Sequence, residues 1–284
     1  SVVMPFFRFP MDSSRQLKLE PRLRSSRVDP FVTQRSFKPL TKKASRWSSL
    51  ACGISATNRT LENPPRLAPS PLAVVTCGPA YESVDGVRRL TNFATGEIGA
   101  ILSAALQESG CDVICFRGEG STAAAPTGVK VQSFSTNDSL AQALRALPRQ
   151  PDLIFHAAAL CDFKIKAIEG ADSKEKISSR SGGITIHLEP APKILPQLCK
   201  WFPQALVVGW KYELDGQRSD AMTRGAQQLR ETGSDVCVVN GKAYGEGFGI
   251  LRRDLSLRHC QDKKSLALAL IDILAKNENP TSGR

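Results

Sequence analysis

Six short apolar runs, most of them rich in β-branched residues, recur at 72–76, 112–116, 129–134, 152–156, 205–209 and 235–240. Between them lie stretches whose apolar residues repeat at helical spacing, such as Ile98, Ile101, Leu102, Ala105 and Leu106, or Leu195, Leu198 and Trp201. Runs this continuous belong to strands buried on both faces, and parallel neighbours need crossovers, which the helical stretches supply. The alternation therefore predicts an α/β fold: a doubly wound, mostly parallel Rossmann-like sheet with helices on both faces. Ligands of such sheets bind at the carboxyl ends of the strands, so the residues that end each run come first.

The first run stops at Cys77-Gly78-Pro79. A loop with Asp85, Arg88, Arg89 and Asn92 follows, and Thr95-Gly96-Glu97-Ile98-Gly99 opens a helix that Gly110 ends. Glycines at 78, 96 and 99 let backbone come close to a ligand, and a helix N-terminus offers unpaired N–H groups to an anion. The stretch reads as a phosphate or nucleotide site; a structural turn with a helix packed close on the sheet explains the glycines equally well. Neither Gly-x-Gly-x-x-Gly nor Gly-x-x-x-x-Gly-Lys is present.

The run at 152–156 ends in His156-Ala157-Ala158-Ala159-Leu160-Cys161-Asp162. Small residues there admit a ligand to the backbone, and Asp162 is placed to accept a hydrogen bond from a sugar or base, or to cap a helix. Residues 173–183 are rich in Ser and Gly and read as a mobile lid carrying Lys176. Residues 184–188 alternate like a strand, Gly209 leads into Trp210-Lys211-Tyr212-Glu213, and a Gly-rich turn at 245–249 precedes an edge strand. A last helix with Leu266, Leu270, Ile273 and Leu274 on one face closes the domain.

The net charge of +11 suggests nucleic acid until it is divided along the chain. Residues 1–66 carry 13 Lys and Arg against 4 acids, and the remainder 25 against 23, so +9 of the excess lies in the first segment and +2 in the rest. A basic groove on the folded part is not supported. Residues 1–67 read as a basic, Ser/Arg/Pro-rich leader, an organellar transit segment or upstream sequence from a misplaced start, with a nucleic-acid arm less favoured. The domain is expected at 68–276 and a frayed tail at 277–284. No apolar run approaches the roughly 18 residues of a membrane span. The 8 cysteines include no C-x-x-C pair and several sit in apolar runs, which points to reduced thiols and an intracellular, cytoplasmic protein. Histidines stand only at 156, 187 and 259, none beside a cysteine at ligand spacing, so zinc is disfavoured and each reads as structural.

These stretches, in order over about residues 70–275, resemble the phosphopantothenoylcysteine synthetase family. The similarity rests on Thr76-Cys77-Gly78-Pro79, on Arg89-Leu90-Thr91-Asn92-Phe93-Ala94-Thr95-Gly96-Glu97-Ile98-Gly99, on the alanines before Asp162 and on Lys176-Ile177. The flavin-dependent decarboxylase half of many bacterial members has no counterpart here. The resemblance implies a ligase of coenzyme A biosynthesis: ATP or CTP, with Mg²⁺, activates the carboxylate of 4'-phosphopantothenate as an acyl-nucleotide, and cysteine then forms the amide. It implies that Asn92 holds the carboxylate or acyl phosphate and that Lys176 neutralises charge at the α-phosphate. Gly78, His156, Ala157, Ala158, Asp162, Pro192, Lys193 and Trp210 would hold the nucleotide; Arg89, Asn92, Ala94, Thr95 and Gly96 the other substrate. A homodimer is expected, with no metal ligand assigned.

The chain departs from bacterial CTP-using members at Ser178, Ser179, Gln228 and Thr232, where they carry lysines, and at Ala191-Pro192-Lys193, where they carry Asn-Pro-Asp. Lys176-Ile177, Pro192-Lys193-Ile194-Leu195 and Trp210-Lys211-Tyr212-Glu213 are closer to the ATP-using eukaryotic type, with Lys193 and Lys211 as candidate replacement cations. A catalytically silent nucleotide-binding relative is the alternative. A short-chain oxidoreductase is disfavoured, because Tyr81, Tyr212 and Tyr244 are followed four residues on by Asp85, Gly216 and Phe248, not by lysine.

Overall fold

Leu72, Ala73, Val74 and Val75 bury side chains on both faces of one strand near the middle of the main sheet. The computed structural model describes residues 70–171 and 175–277. The leader expected at 1–67 and all but the first residue of the expected tail lie outside them. Asn277 itself ends the last helix.

The chain runs β1 (Leu72–Cys77), a hairpin of β2 (Tyr81–Ser83) and β3 (Arg89–Thr91), α1 (Glu97–Glu108), β4 (Asp112–Gly118), β5 (Lys130–Phe134), α2 (Asn137–Arg145) and β6 (Leu153–His156). It continues through β7 (Phe163–Glu169), β8 (Thr185–Pro190), α3 (Leu195–Trp201), β9 (Leu206–Tyr212), α4 (Arg218–Thr232), β10 (Val236–Asn240), β11 (Phe248–Arg252), β12 (Leu257–Cys260) and α5 (Lys263–Asn277). Eight strands form one sheet in the order β12-β11-β10-β9-β6-β1-β4-β5. The six from β10 to β5 are parallel; β11 pairs antiparallel with β10, and β12 pairs antiparallel with β11 to form that edge.

Alternation along the strands decides which helix covers which face. Ala73, Val75, Leu153, Phe155, Val208 and Val238 meet Leu102 and Leu106 of α1 and Leu266 and Leu270 of α5. Their neighbours Leu72, Val74, Ile154 and Val207 meet Leu140 and Leu144 of α2 and Leu198 of α3. Cys237 and Val239 pack with Ala221 and Leu229 of α4. Helices therefore lie on both faces, as the alternation predicts.

Two local features escape the sequence reading. The loop after Pro79 is a hairpin, and Phe163–Glu169, which carries no run of its own, pairs antiparallel with Thr185–Pro190 as a separate two-stranded ribbon. The cap of α2 is Thr136, one residue before Asn137: its hydroxyl accepts from the Ser139 N–H at 3.1 Å, and Ser139 Oγ accepts from the Thr136 N–H at 3.0 Å. The helix ends at Arg145, three residues before Pro148. Among the described residues every cysteine is a free thiol, with Cys77, Cys115, Cys237 and Cys260 buried.

Candidate active site at the strand ends

The chain leaves β1 towards β4 on one side and reaches β6 on the other, which makes the carboxyl ends of β1 and β6 the switch point of the sheet. Pairing continues past both ends. The Ala157 N–H donates to Thr76 O at 3.0 Å, Ala159 N–H to Gly78 O at 2.9 Å, and Ala80 N–H to Ala159 O at 3.0 Å. Gly78 has φ 78° and Gly96 φ 80°, and the two lie close enough that a Cβ on Gly96 would stand 3.4 Å from Gly78 Cα. Gly96 precedes α1 and caps it with no side chain of its own, while Thr95 Oγ1 accepts from the Glu97 N–H at 3.4 Å. Ala94 and Thr95 lead into it, and the Thr95 carbonyl takes the Ala123 N–H at 3.1 Å.

Asn92, one residue beyond β3, donates from Nδ2 to Ala159 O and Leu160 O, both at 3.0 Å. Each amide hydrogen faces one carbonyl, so donation to a substrate oxygen requires that one of these bonds be exchanged. Arg89 lies over the Tyr81 ring, 4.9 Å from its centroid. His156 is buried beneath the alanines, its Nδ1 2.8 Å from Thr76 Oγ1, and burial pushes its pKa down from 6.5 to about 4. The Thr76 hydroxyl that shares this hydrogen bond also accepts from Ala158 N–H at 3.4 Å. The histidine supports the turn that follows it.

Asp162 forms an exposed ion pair with Lys193, and its carbonyl takes the Ala191 N–H at 2.9 Å. It enters strand β7, so the helix-cap role falls away. Pro192 is exposed beside Lys193. On the other side, His156 pairs in register with Gly209, and Trp210 and Lys211 follow it along β9. Trp210 packs towards the α1/α5 layer with its indole N–H buried and unpartnered, and Lys211 Nζ binds Glu213 at 3.1 Å. Glu213 also binds Arg224. Burial alone would raise the Glu213 carboxyl, but hydrogen bonds from Lys211 and Arg224 outweigh it and lower the pKa.

Lys176 is exposed, but the backbone on either side of it is not loose. Gly86 N–H donates to Glu175 O at 2.8 Å and Ile177 N–H to Asp85 Oδ2 at 3.1 Å, with the Ile177 side chain buried. Residues 175–177 of the expected lid are tethered to the β2–β3 turn. Sequence reading gave the loop at 118–128 no part in the site: Ser121 Oγ donates to Gly118 O at 2.7 Å and sits against both glycines, a Cβ on Gly78 falling 1.9 Å from it. Gly118-Glu119-Gly120-Ser121 at a strand end was the available signal.

The solved structure of a DNA/pantothenate metabolism flavoprotein from Streptococcus pneumoniae superposes with TM-score 0.64 at 19% identity, covering 73% of this chain and 100% of that one. A complex of the Cab2 mutant H337A with phosphopantothenate-cysteine gives 0.59 at 18% identity, covering 74% and 89%. The coenzyme A biosynthesis bifunctional protein CoaBC of Bacillus subtilis is 30% identical over 181 residues, and that of Thermococcus kodakarensis 28% over 177. These matches take in 62% and 61% of this chain and 42% of each relative, so the chain spans less than half of either. The model of the DNA/pantothenate metabolism flavoprotein C-terminal domain matches residues 71–276, and the chain belongs to that family.

Proposed function

We propose that the chain is a phosphopantothenate–cysteine ligase. The observation that carries it is the meeting, at the β1/β6 switch point, of the Gly78–Gly96 turn, the Asn92 amide and the backbone of Ala157 to Leu160. In the first step a carboxylate oxygen of 4'-phosphopantothenate attacks the α-phosphorus of ATP or CTP, and pyrophosphate leaves. In the second the cysteine amine attacks the acyl carbon, loses a proton and expels the nucleotide monophosphate.

Both steps need positioning and charge neutralisation more than proton transfer. The adjacent Gly78 and Gly96 and the first turn of α1, where Thr95 Oγ1 already accepts from the Glu97 N–H, offer N–H groups to a phosphate. Asn92 holds the acyl group by exchanging one of its two carbonyl bonds. Lys176 meets the α-phosphate, and Lys193 leaves Asp162 for phosphate oxygens at small cost because their pair is exposed. Mg²⁺ is assigned to the triphosphate: among the described residues no three His, Cys, Asp or Glu side chains gather to hold an ion. A homodimer is part of the proposal, supported by exposed Phe163 and Leu188 on the β7–β8 ribbon. A cytoplasmic setting fits the free thiols, and among the described residues no helix is long and apolar enough to cross a membrane.

The test is pyrophosphate release by the full chain with 4'-phosphopantothenate, Mg²⁺ and ATP or CTP, with and without cysteine. Pyrophosphate from one nucleotide, with amide only when cysteine is present, is the expected result. Nucleotide binding without pyrophosphate from either would replace the ligase with a silent relative.

A further inference from the structure

The turn between β2 and β3 contains a carboxylate with no exposed surface, that of Asp85. Its two oxygens do separate work. Oδ1 accepts from the N–H groups of Val87 at 2.9 Å and Arg88 at 2.7 Å, which closes the turn itself. Oδ2 accepts from the Ile177 N–H at 3.1 Å and faces Arg88 Nη2 at 2.7 Å; the same guanidinium nitrogen donates to Ile177 O. Gly86 completes the contact, since a Cβ there would lie 2.3 Å from Glu175 O. Carbonyl 175, amide 177 and carbonyl 177 are all held, so the peptide groups on both sides of Lys176 are fixed. The other end of this hairpin carries Asn92.

We propose that Asp85 is the positioning residue for Lys176: with Arg88 and Gly86 it locks the lysine's backbone to the hairpin that presents Asn92, so both side chains are placed by one rigid element. The catalytic half of this proposal rests on the ligase reading. The clamp is not a pH switch near neutrality. Burial alone would raise the Asp85 carboxyl, but the N–H groups of Val87, Ile177 and Arg88 and the Arg88 guanidinium outweigh it and lower its pKa from 3.8 to about 2.

Asp85→Asn tests the clamp because an amide has one acceptor oxygen where the carboxylate has two. Whichever way it sits, one pair of donors loses its partner, and the two local turn bonds are the pair expected to survive. In the full-length protein, trypsin cleavage after Lys176, read by mass spectrometry, should accelerate about tenfold as the segment opens. In the pyrophosphate assay kcat should fall about 10- to 100-fold, as misplacement of a catalytic group does, with KM for both substrates within about twofold. The deciding comparison is a double-mutant cycle: Asp85→Asn should cost nothing further in a Lys176→Ala background.

Unchanged cleavage overturns the clamp. Faster cleavage with additive rate losses overturns positioning through Lys176. Faster cleavage in a chain whose unmodified form makes no pyrophosphate retires the ligase reading and the catalytic half with it. If Asp85→Asn does not fold, Gly86→Ala pushes on Glu175 while leaving the carboxylate in place and should give the same cleavage and cycle.

Discussion

The two flanks of the strand-end cleft are built from different materials. The flank on β1 and β6 is backbone, glycine and one neutral amide, arranged by hydrogen bonds of 2.9 to 3.0 Å among Gly78, Ala80, Asn92, Ala157 and Ala159. The flank on β9 carries charge that is already neutralised: Glu213, 12% exposed, is shared by Lys211 and Arg224. Lys193, beyond the end of β8, stands between the two cases, since it and its partner Asp162 are 66% and 69% exposed. Neutral groups can be oriented before the ligand arrives without a desolvation penalty; charged ones reach a ligand only by leaving a partner. Two lysines that look equivalent in sequence thus differ in availability, Lys193 held in solvent and Lys211 beside a half-buried carboxylate.

The largest effect expected on this comparison is at the neutral flank. Asn92→Ala should reduce pyrophosphate formation by about 10²- to 10³-fold, the usual result of removing a donor aimed at developing charge. An equal loss from Lys193→Ala would break the distinction between the flanks.

Next is the histidine beneath that flank. His156 titrates at 6.5 ordinarily and at about 4 when folded, so between those values the unfolded chain binds a proton that the folded chain does not. Stability should therefore fall as pH drops from about 6.5 to about 4, by about 1.4 kcal/mol per unit and about 3 kcal/mol in all. Thermal unfolding against pH measures it, and His156→Gln, which keeps a partner for Thr76, should remove that component.

Smaller again is the contrast between one glycine on each flank. A Cβ on Gly99 would lie 2.2 Å from Cys77 Cβ, whereas on Gly209 the nearest atoms are the flexible ends of Leu195 at 2.6 Å and Gln228 at 3.0 Å. Urea denaturation should show Gly99→Ala costing about 1–3 kcal/mol and Gly209→Ala less. The smallest effects concern the lysines themselves. Lys193→Ala should leave stability within about 0.5 kcal/mol and weaken triphosphate binding, while Lys211→Ala should cost about 1 kcal/mol with the smaller change in affinity. Calorimetric titration with ATP and CTP checks both.

Much of the site is legible in the sequence because its requirements are local. Gly78 and Gly96 adopt positive φ, Ala157 and Ala158 extend a strand, and Asn92 sits next to them by chain connectivity after one hairpin. Asp85 was visible as a loop residue but not as a clamp, because its decisive partner is Ile177, 92 residues away. The ribbon strand Phe163–Glu169 escaped for another reason: exposed on both sides along much of its length, it carries no buried run to betray it.

By itself the sequence determined the strand–helix alternation, the parallel layers and the position of the glycine turn, since each follows from short-range periodicity and from backbone conformations that only certain residues tolerate. Tertiary structure alone decided which strand ends meet, that Lys211 shares a half-buried carboxylate with Arg224 while Lys193 stays in solvent, and that the Lys176 segment is tied to the hairpin of Asn92. Those are matters of distance between residues far apart in the chain, where hydrogen bonds and ion pairs acquire their strength from burial, and burial exists only once the layers have closed.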